Sequence, residues 1–390
     1  MTERLYYNDC YLRDFSANIV ALGKDGLVAY LDRTAFYPSS GGQPFDIGSL
    51  AGAKVIDVID EDDRVAHKLD RPIAAAGSVE GRIDWSRRFD HMQQHTGQHL
   101  LSAVFEELYA MKTLSFHMGA EVSTIELGTA QLDPAQIIAA ERRANELIGE
   151  NREVHITFED AQAVEGLRKI SERSGTLRIV SIDSLDRSAC GGTHVRRTGE
   201  IGSILIRKLD KVRGNVRIEF VCGLRSVTRS RAEYDALTAV ARAFSCANDE
   251  APRIAVTNAE RVQDLEKSRR KMAGELAAFE GQALWTSTVP DADGMRRATR
   301  RGPITEDTRA LANGFTAGGK AMLLQVCDDP PSFLLAASKD SGLNAGALVK
   351  EVLAEAGGRG GGSPVSAQGS VPSRESLAQL EARITSKWLS

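Results

Sequence analysis

His95 and His99 stand four residues apart in QQHTGQHLLSA, within a segment from Asp84 to about Tyr109 whose apolar residues recur at helical spacing with no internal proline. A four-residue step on a helix puts both imidazoles on one face, where two ring nitrogens can reach one ion at about 2.0–2.1 Å. Cys190 and His194 stand in SACGGTHV, between two strand-like segments. The intervening Gly191-Gly192 permits a tight turn that aims thiolate and imidazole the same way. Either half alone is weak, since an isolated HxxxH is more often two solvated or core histidines. Together they make a four-ligand set, and a thiolate among imidazoles selects zinc over magnesium or calcium, which prefer oxygen. His91, His95 and His99 are evenly spaced by four, so spacing alone leaves His91/His95 and His95/His99 both open.

The chain that must position these groups has 390 residues, enough for two or three domains. Hydrophobic residues at 42% and charged residues at 26% are those of a soluble globular protein. A net charge of −4 argues against a general coat for nucleic acid, although a local basic patch can still meet a phosphate backbone. The start MTERLYYNDC has no basic segment leading into an apolar one, so no signal peptide is expected, and no run suggests a membrane span. Five scattered cysteines are poor material for a disulfide framework and point to a reducing, cytoplasmic setting.

The fold expected is α+β. Residues 1–85 carry strand-like pieces at Asn18–Leu22, Gly26–Leu31, Ala53–Asp60 and Val65–Lys68, with Gly41-Gly42 and Gly48 as punctuation; the spacing fits a small β-barrel or sandwich, and the barrel is the expectation. Residues 86–223 hold the histidine helix and a second helix from Ala135 to about Asn151. Strands are expected there at Thr113–His117, Thr124–Leu127, Val154–Phe158, Leu177–Ile182, Ser203–Leu209 and Val216–Cys222. Residues 224–285 read as a helical linker, with Ala232–Phe244 and Glu260–Phe279 as a hairpin whose heptad is too broken to name a coiled coil. Residues 286–390 resume an α/β rhythm with AMLLQV, SFLLAAS, a helix near Asn344–Ala356, the stretch GGRGGGSPVSAQGS and a last helix at Ser373–Leu389.

QQHTGQHLLSA, SFHMGAEVSTIEL and RSACGGTHV resemble the editing domain of alanyl-tRNA synthetases and, more closely, its free-standing AlaX-type relatives. FYPSSGGQPFDIG at Phe36–Gly48 is similar to the glycine-rich segment that precedes the metal motif there, with Ser40 where the family commonly carries glycine. GGRGGGSPVSAQGS looks like the signature of the DHHA1 domain, and the order of parts is that of the long AlaX subclass. The resemblance fits HTGQH, so it selects His95, His99, Cys190 and His194 as zinc ligands and leaves His91 out. It implies a trans-editing hydrolase that deacylates mischarged tRNA(Ala), chiefly seryl and also glycyl, at the acceptor end. Nothing resembles the aminoacylation domain of the synthetases.

Ester cleavage needs an activated water, a polarised carbonyl and a stabilised leaving oxygen. Gln43 is the candidate amide beside the ester, with Gly41 and Gly42 letting the backbone approach. His194, last in its loop, is the candidate for a labile ligand that opens the site. Thr113, Ser115 and His117 are candidate substrate contacts, a hydroxyl at 113 or 115 being suited to a seryl side chain. The cations between Arg196 and Arg217 are the first candidate track for phosphate, and the arginines at 296, 297, 300 and 301 a second. Two other readings remain: a zinc-stabilised RNA-binding module without catalysis, and a deacylase of another aminoacyl-tRNA. A homodimer through the C-terminal region is also expected.

Overall fold

Short apolar–polar alternations separated by turn residues open the chain, and they form eight strands: β1 (Glu3–Arg4), β2 (Asp14–Leu22), β3 (Val28–Leu31), β4 (Arg33–Thr34), β5 (Gly48–Leu50), β6 (Ala53–Glu61), β7 (Arg64–Leu69) and β8 (Ser78–Ile83). The computed structural model describes residues 1–74, 77–169 and 174–388. Six strands hydrogen-bond in the order β2-β3-β7-β6-β5-β8, and β8 returns to β2 from Asp14↔Arg82 to Asn18↔Ser78, closing a barrel without a free edge. Alternate residues point inward, among them Phe15, Leu31, Leu50, Val55, Val58 and Ile83. Gly48, expected as punctuation, instead begins β5, whose three residues are too few for alternation to reveal.

The histidine segment is the helix α1 (Trp85–Tyr109), capped by Asp84, whose carboxylate accepts from Arg87 N at 3.0 Å. There follow β9 (Thr113–Met118), β10 (Ser123–Leu127), α2 (Pro134–Gly149), β11 (Val154–Asp160), β12 (Thr176–Ile182), β13 (Asp186–Ala189), β14 (Ile204–Val212), β15 (Asn215–Cys222) and α3 (Leu224–Ala243). The strands build two antiparallel sheets, β14-β15-β10-β9 and β11-β12-β13. Met92, Leu101, Val104 and Phe105 of α1 pack with Ala144 and Leu147 of α2 and with Ile218 and Phe220 of β15. The chain forms two compact units, Met1–Ala239 and Val240–Ser390, so barrel and histidine helix belong to one unit.

Arg88, in the first turn of α1, ties that helix to the barrel side. Its guanidinium donates to both oxygens of Asp46, to Cys10 O at 2.9 Å and to Ala35 O at 2.5 Å, and both charges are fully buried. Asp46 also accepts from Tyr37 N at 2.7 Å. Burial of such a pair is tolerated because each nitrogen of the guanidinium and each oxygen of the carboxylate has a partner.

The second unit holds α4 (Ala251–Ser287), β16 (Arg296–Arg301), α5 (Glu306–Ala317), β17 (Ala321–Asp328), β18 (Pro331–Ala337), α6 (Ala345–Ala356), β19 (Arg359–Gly362), β20 (Ser366–Ser370) and α7 (Arg374–Trp388). Its sheet runs β16-β17-β18-β20-β19, with only β16 and β17 parallel. AMLLQV and SFLLAA are continuously apolar because both faces are covered: Leu323, Leu334 and Ala336 pack with α4 and α5, while Leu324, Phe333 and Leu335 pack with α6 and α7. The division between units falls inside the segment expected as a linker, and α4 runs past Phe279 to pack Gly281 against α5.

The glycine-rich stretch forms the hairpin β19–β20, which extends the sheet beyond β18. A Cβ at Gly360 would sit 2.3 Å from Gln368 O and 2.8 Å from Leu353 Cδ1, so the missing side chain lets α6 lie on the strand. Gly361 meets nothing within 4 Å. Gly360→Ala should therefore cost about 1–3 kcal/mol in denaturant unfolding, and Gly361→Ala less than about 0.5 kcal/mol. In the first unit Arg88→Ala should lose about 3–5 kcal/mol by the same measurement, because it strands a buried carboxylate.

Candidate metal centre and cleft

Two elements converge on one point. α1 supplies His95 and His99, and the loop after β13 supplies Cys190 and His194. Their ligand atoms all lie within 4.8 Å of one another. Cys190 Sγ is 3.4 Å from His95 Nε2 and 3.4 Å from His194 Nε2. Bond lengths of about 2.3 Å to sulfur and 2.0–2.1 Å to nitrogen imply tetrahedral sulfur–nitrogen edges of about 3.5 Å, so the set fits a zinc-sized ion.

The second nitrogen of each ring supports the fit. His95 Nδ1 donates to Gln43 Oε1 at 2.8 Å, His99 Nδ1 to Asp186 Oδ2 at 2.8 Å, and His194 Nδ1 to Thr96 Oγ1 at 3.1 Å. Each contact fixes the tautomer that leaves Nε2 as a lone-pair donor toward the centre. Asp186 is itself held by Arg168 Nε at 2.6 Å and by Ser188 Oγ. Burial alone would raise the Asp186 carboxyl, yet His99 and Arg168 hold it down at about 2. Burial likewise opposes the Cys190 thiolate, but the imidazoles of His95 and His194 outweigh it and hold the thiol well below its ordinary value. His194 is pushed down to about 3, first by burial, and so stays neutral as a ligand requires.

Close approach decides the second glycine of the ligand loop. A Cβ on Gly192 would stand 2.1 Å from His95 Cε1, so only glycine lets the loop pass over the ring. Arg178 pins the loop from below, donating to Cys190 O at 2.7 Å and Gly192 O at 3.0 Å, and to Tyr7 O at 3.0 Å.

His91, left open by spacing, is buried beside the set without joining it, and its Nδ1 has no partner. Each four-residue step turns about 40° round the helix, which carries His91 off the face shared by the other two. Burial, then the cations Arg87, Arg225 and Arg88, push it down to about 3.

The centre forms the floor of a cleft of about 530 Å³ lined by Tyr7, Tyr37, Gly41, Thr113, Ser115 and Phe116, among others. Gln43 does not reach it, which corrects its expected place beside an ester. It is 1% exposed, its oxygen is taken by His95 and by Thr193 N, and its nitrogen by Thr193 Oγ1. Gly42 has φ of 84° and packs on β9, where a Cβ would meet Phe116 O at 2.7 Å. Thr113 gives its hydroxyl to Ser102 at 2.7 Å, while that of Ser115 is free. His117 is exposed, pairs with Thr124 and does not line the cleft.

The cations from 196 to 217 do not line the cleft, and most are spent on carboxylates: Arg196 on Asp9, Arg197 on Glu153, Arg207 on Glu233, Lys208 on Asp210 and Arg217 on Glu126. Arg297 and Arg301 of β16 are paired as well. The basic groups that do line the cleft are Arg4, Arg168, Lys169 and Arg178, which no sequence motif singles out. Among the described residues no helix is long and apolar enough to cross a membrane.

The family described as threonyl and alanyl tRNA synthetase second additional domain matches residues 177–219. The chain is 32% identical over 395 residues to the alanyl-tRNA editing protein AlaX-L of Pyrococcus horikoshii, covering 96% of each. It is 29% identical over 404 residues to the alanyl-tRNA editing protein Aarsd1 of Mus musculus, covering 97% of this chain and 96% of that one. With the alanyl-tRNA editing protein AlaX-M of Methanosarcina mazei it shares 34% over 242 residues, 56% of this chain and 96% of the relative.

Two variants test the centre without any assay of catalysis. Asp186→Ala should weaken zinc binding about 10–100-fold in a chelator competition, because His99 loses its orienting acceptor. His91→Ala should keep the full metal content by elemental analysis.

Proposed function

This chain belongs to the family of alanyl-tRNA editing proteins, and from that premise we propose that it is a zinc-dependent hydrolase that clears mischarged tRNA(Ala) in trans, seryl foremost and glycyl next. The observation that carries this reading is the convergence of His95, His99, Cys190 and His194 on the floor of a cleft open to a substrate. The four would hold zinc. When bound, the ion supplies a Lewis acid or lowers the pKa of a water to about 7.

Hydrolysis adds a water oxygen to the carbonyl carbon and breaks its bond to the ribose oxygen, which leaves with a proton. The residues of the chain position the ester for that exchange. Ser115 offers an uncommitted hydroxyl at the cleft wall, matched to the hydroxyl of a seryl group. Thr113 is the lesser candidate, since Ser102 takes its proton and Gln98 donates to that same oxygen. A wall built around a substrate hydroxyl disfavours alanine, which leaves the protein's own polar group unpaired. Lys169 supplies positive charge along the cleft for the phosphates of the acceptor end, whereas Arg4 lines it paired with Asp60. Gln43 and Asp186 act through the histidines they orient, not on the ester. Free cysteines at all five positions suit a cytoplasmic setting.

Single-turnover deacylation of seryl and alanyl esters of the alanine tRNA checks the reading. The wild type should cleave the seryl ester much faster. Ser115→Ala should reduce that preference about tenfold, the equivalent of one hydrogen bond of about 1.4 kcal/mol. Equal rates on the two esters would sink the specificity, and absence of cleavage on either would sink the hydrolase.

A further inference from the structure

The apolar face of β11 runs out of cover before the strand ends. Val154 and Ile156 pack on the core of the first unit, and Phe158, two residues further, lies on the same face. Yet Phe158 is 49% exposed and lines the cleft. β11 is an edge strand of its sheet, and β9 is an edge strand of the other. The pairing of β9 with β10 passes from Leu127↔Thr113 to Glu126↔Ser115, which leaves Leu114 as the extra residue of a bulge. Leu114 is 48% exposed and lines the cleft as well. His95, His99 and His194 on the floor are between 2% and 4% exposed, so Phe158 and Leu114 belong to the rim.

Charge completes the pattern. Four cations line the cleft against one carboxylate, Asp60, which Arg4 already holds. Arg168 is committed to Asp186, and Arg178 to carbonyls of the ligand loop. Lys169 is exposed and makes no ion pair among the described residues. Aromatic rings interleaved with cations along a groove are what hold single-stranded nucleic acid, the bases on the rings and the phosphates on the charges.

We propose that Phe158 is the stacking platform for the penultimate base of a single-stranded RNA 3′ end whose terminal nucleotide carries the ester. The assignment rests on the proposed deacylation and adds which nucleotide the rim holds. A cleft of about 530 Å³ has the size that takes one small ligand. The esterified terminal nucleotide fills it, and the base before that nucleotide falls on the rim. Leu114 gives the rim apolar contact but no ring, so stacking falls to Phe158. Within a duplex both faces of the base are already stacked, so only an unpaired end can use the ring.

An uncharged acceptor-stem hairpin of the alanine tRNA, with its unpaired 3′ end, is the probe for the full-length protein. With 2-aminopurine at the penultimate nucleotide, binding to the wild type should quench its fluorescence. The same label placed in the paired stem should stay unchanged on binding. Phe158→Ala should weaken binding about 5–150-fold and abolish the quench. Phe158→Tyr should keep affinity within about twofold, since its ring offers the same face. Phe158→Leu, apolar but without a ring, should behave as Phe158→Ala. Zinc content and circular dichroism should match the wild type in all three, the side chain being half exposed. A Phe158→Leu protein that binds as the wild type does, or a quench that survives Phe158→Ala, would overturn the platform. So would wild-type binding that leaves the penultimate label unquenched. The hairpin bears no ester, so the two readings fail separately: cleavage of seryl-tRNA without the quench sinks only the platform, and the quench without cleavage sinks only the hydrolase.

Discussion

Every residue of α1 from His91 to Phe105 is buried, and eight of those fifteen side chains are polar: His91, Gln93, Gln94, His95, Thr96, Gln98, His99 and Ser102. An unpaired polar group in such a place costs several kcal/mol, and apart from His91 Nδ1 these side chains find partners. Gln94 bridges to the backbone of Cys222 at both its ends, Gln93 donates to Glu200 O, and Thr96 accepts from Val195 N. These partners come from β15, the short turn before β14 and the ligand loop. The polar core of one helix therefore dictates where the other elements stand, and the cleft is a consequence of that requirement.

The same logic concentrates charge without exposing it. Arg88 with Asp46 and Arg168 with Asp186 are ion pairs set beside the two ends of the histidine run, and each carboxylate also fixes something else. Asp46 holds the backbone of Tyr37, a wall of the cleft, while Asp186 aims His99. Rigid surroundings of this kind suit a centre whose ligands must be held before any substrate arrives. Barrel and centre are thereby coupled through buried hydrogen bonds rather than through apolar packing alone.

How much of this was legible depended on whether the signal was local. The long helix, its two histidines and the CxxxH loop could be read directly, because helical period and Gly-Gly turns act within a few residues. The strands of continuous apolar character were legible for the same reason. Short or glycine-bearing strands such as β5, β8 and β19 were not: β5 and β8 pair with strands far along the chain, and glycines leave β19 no side-chain alternation to read. Gln43 looked like a group aimed at substrate because a Gly-Gly turn precedes it; the turn instead drives its amide inward onto His95.

The sequence by itself determined which four residues can hold an ion, the family to which they belong, and the type of each long element. The element types and the candidate donors reside in residue identity and in short spacings, while the resemblance of HTGQH to the family motif is what chose His99 over His91. Only the tertiary structure decided that Asp186, Thr96 and Gln43 orient the histidines, that Arg4 and Lys169 rather than the 196–217 cations face the cleft, and that Phe158 is left bare at its rim. Asp186 and His99 are 87 residues apart in sequence and 2.8 Å apart in space, and no local pattern encodes a contact of that kind.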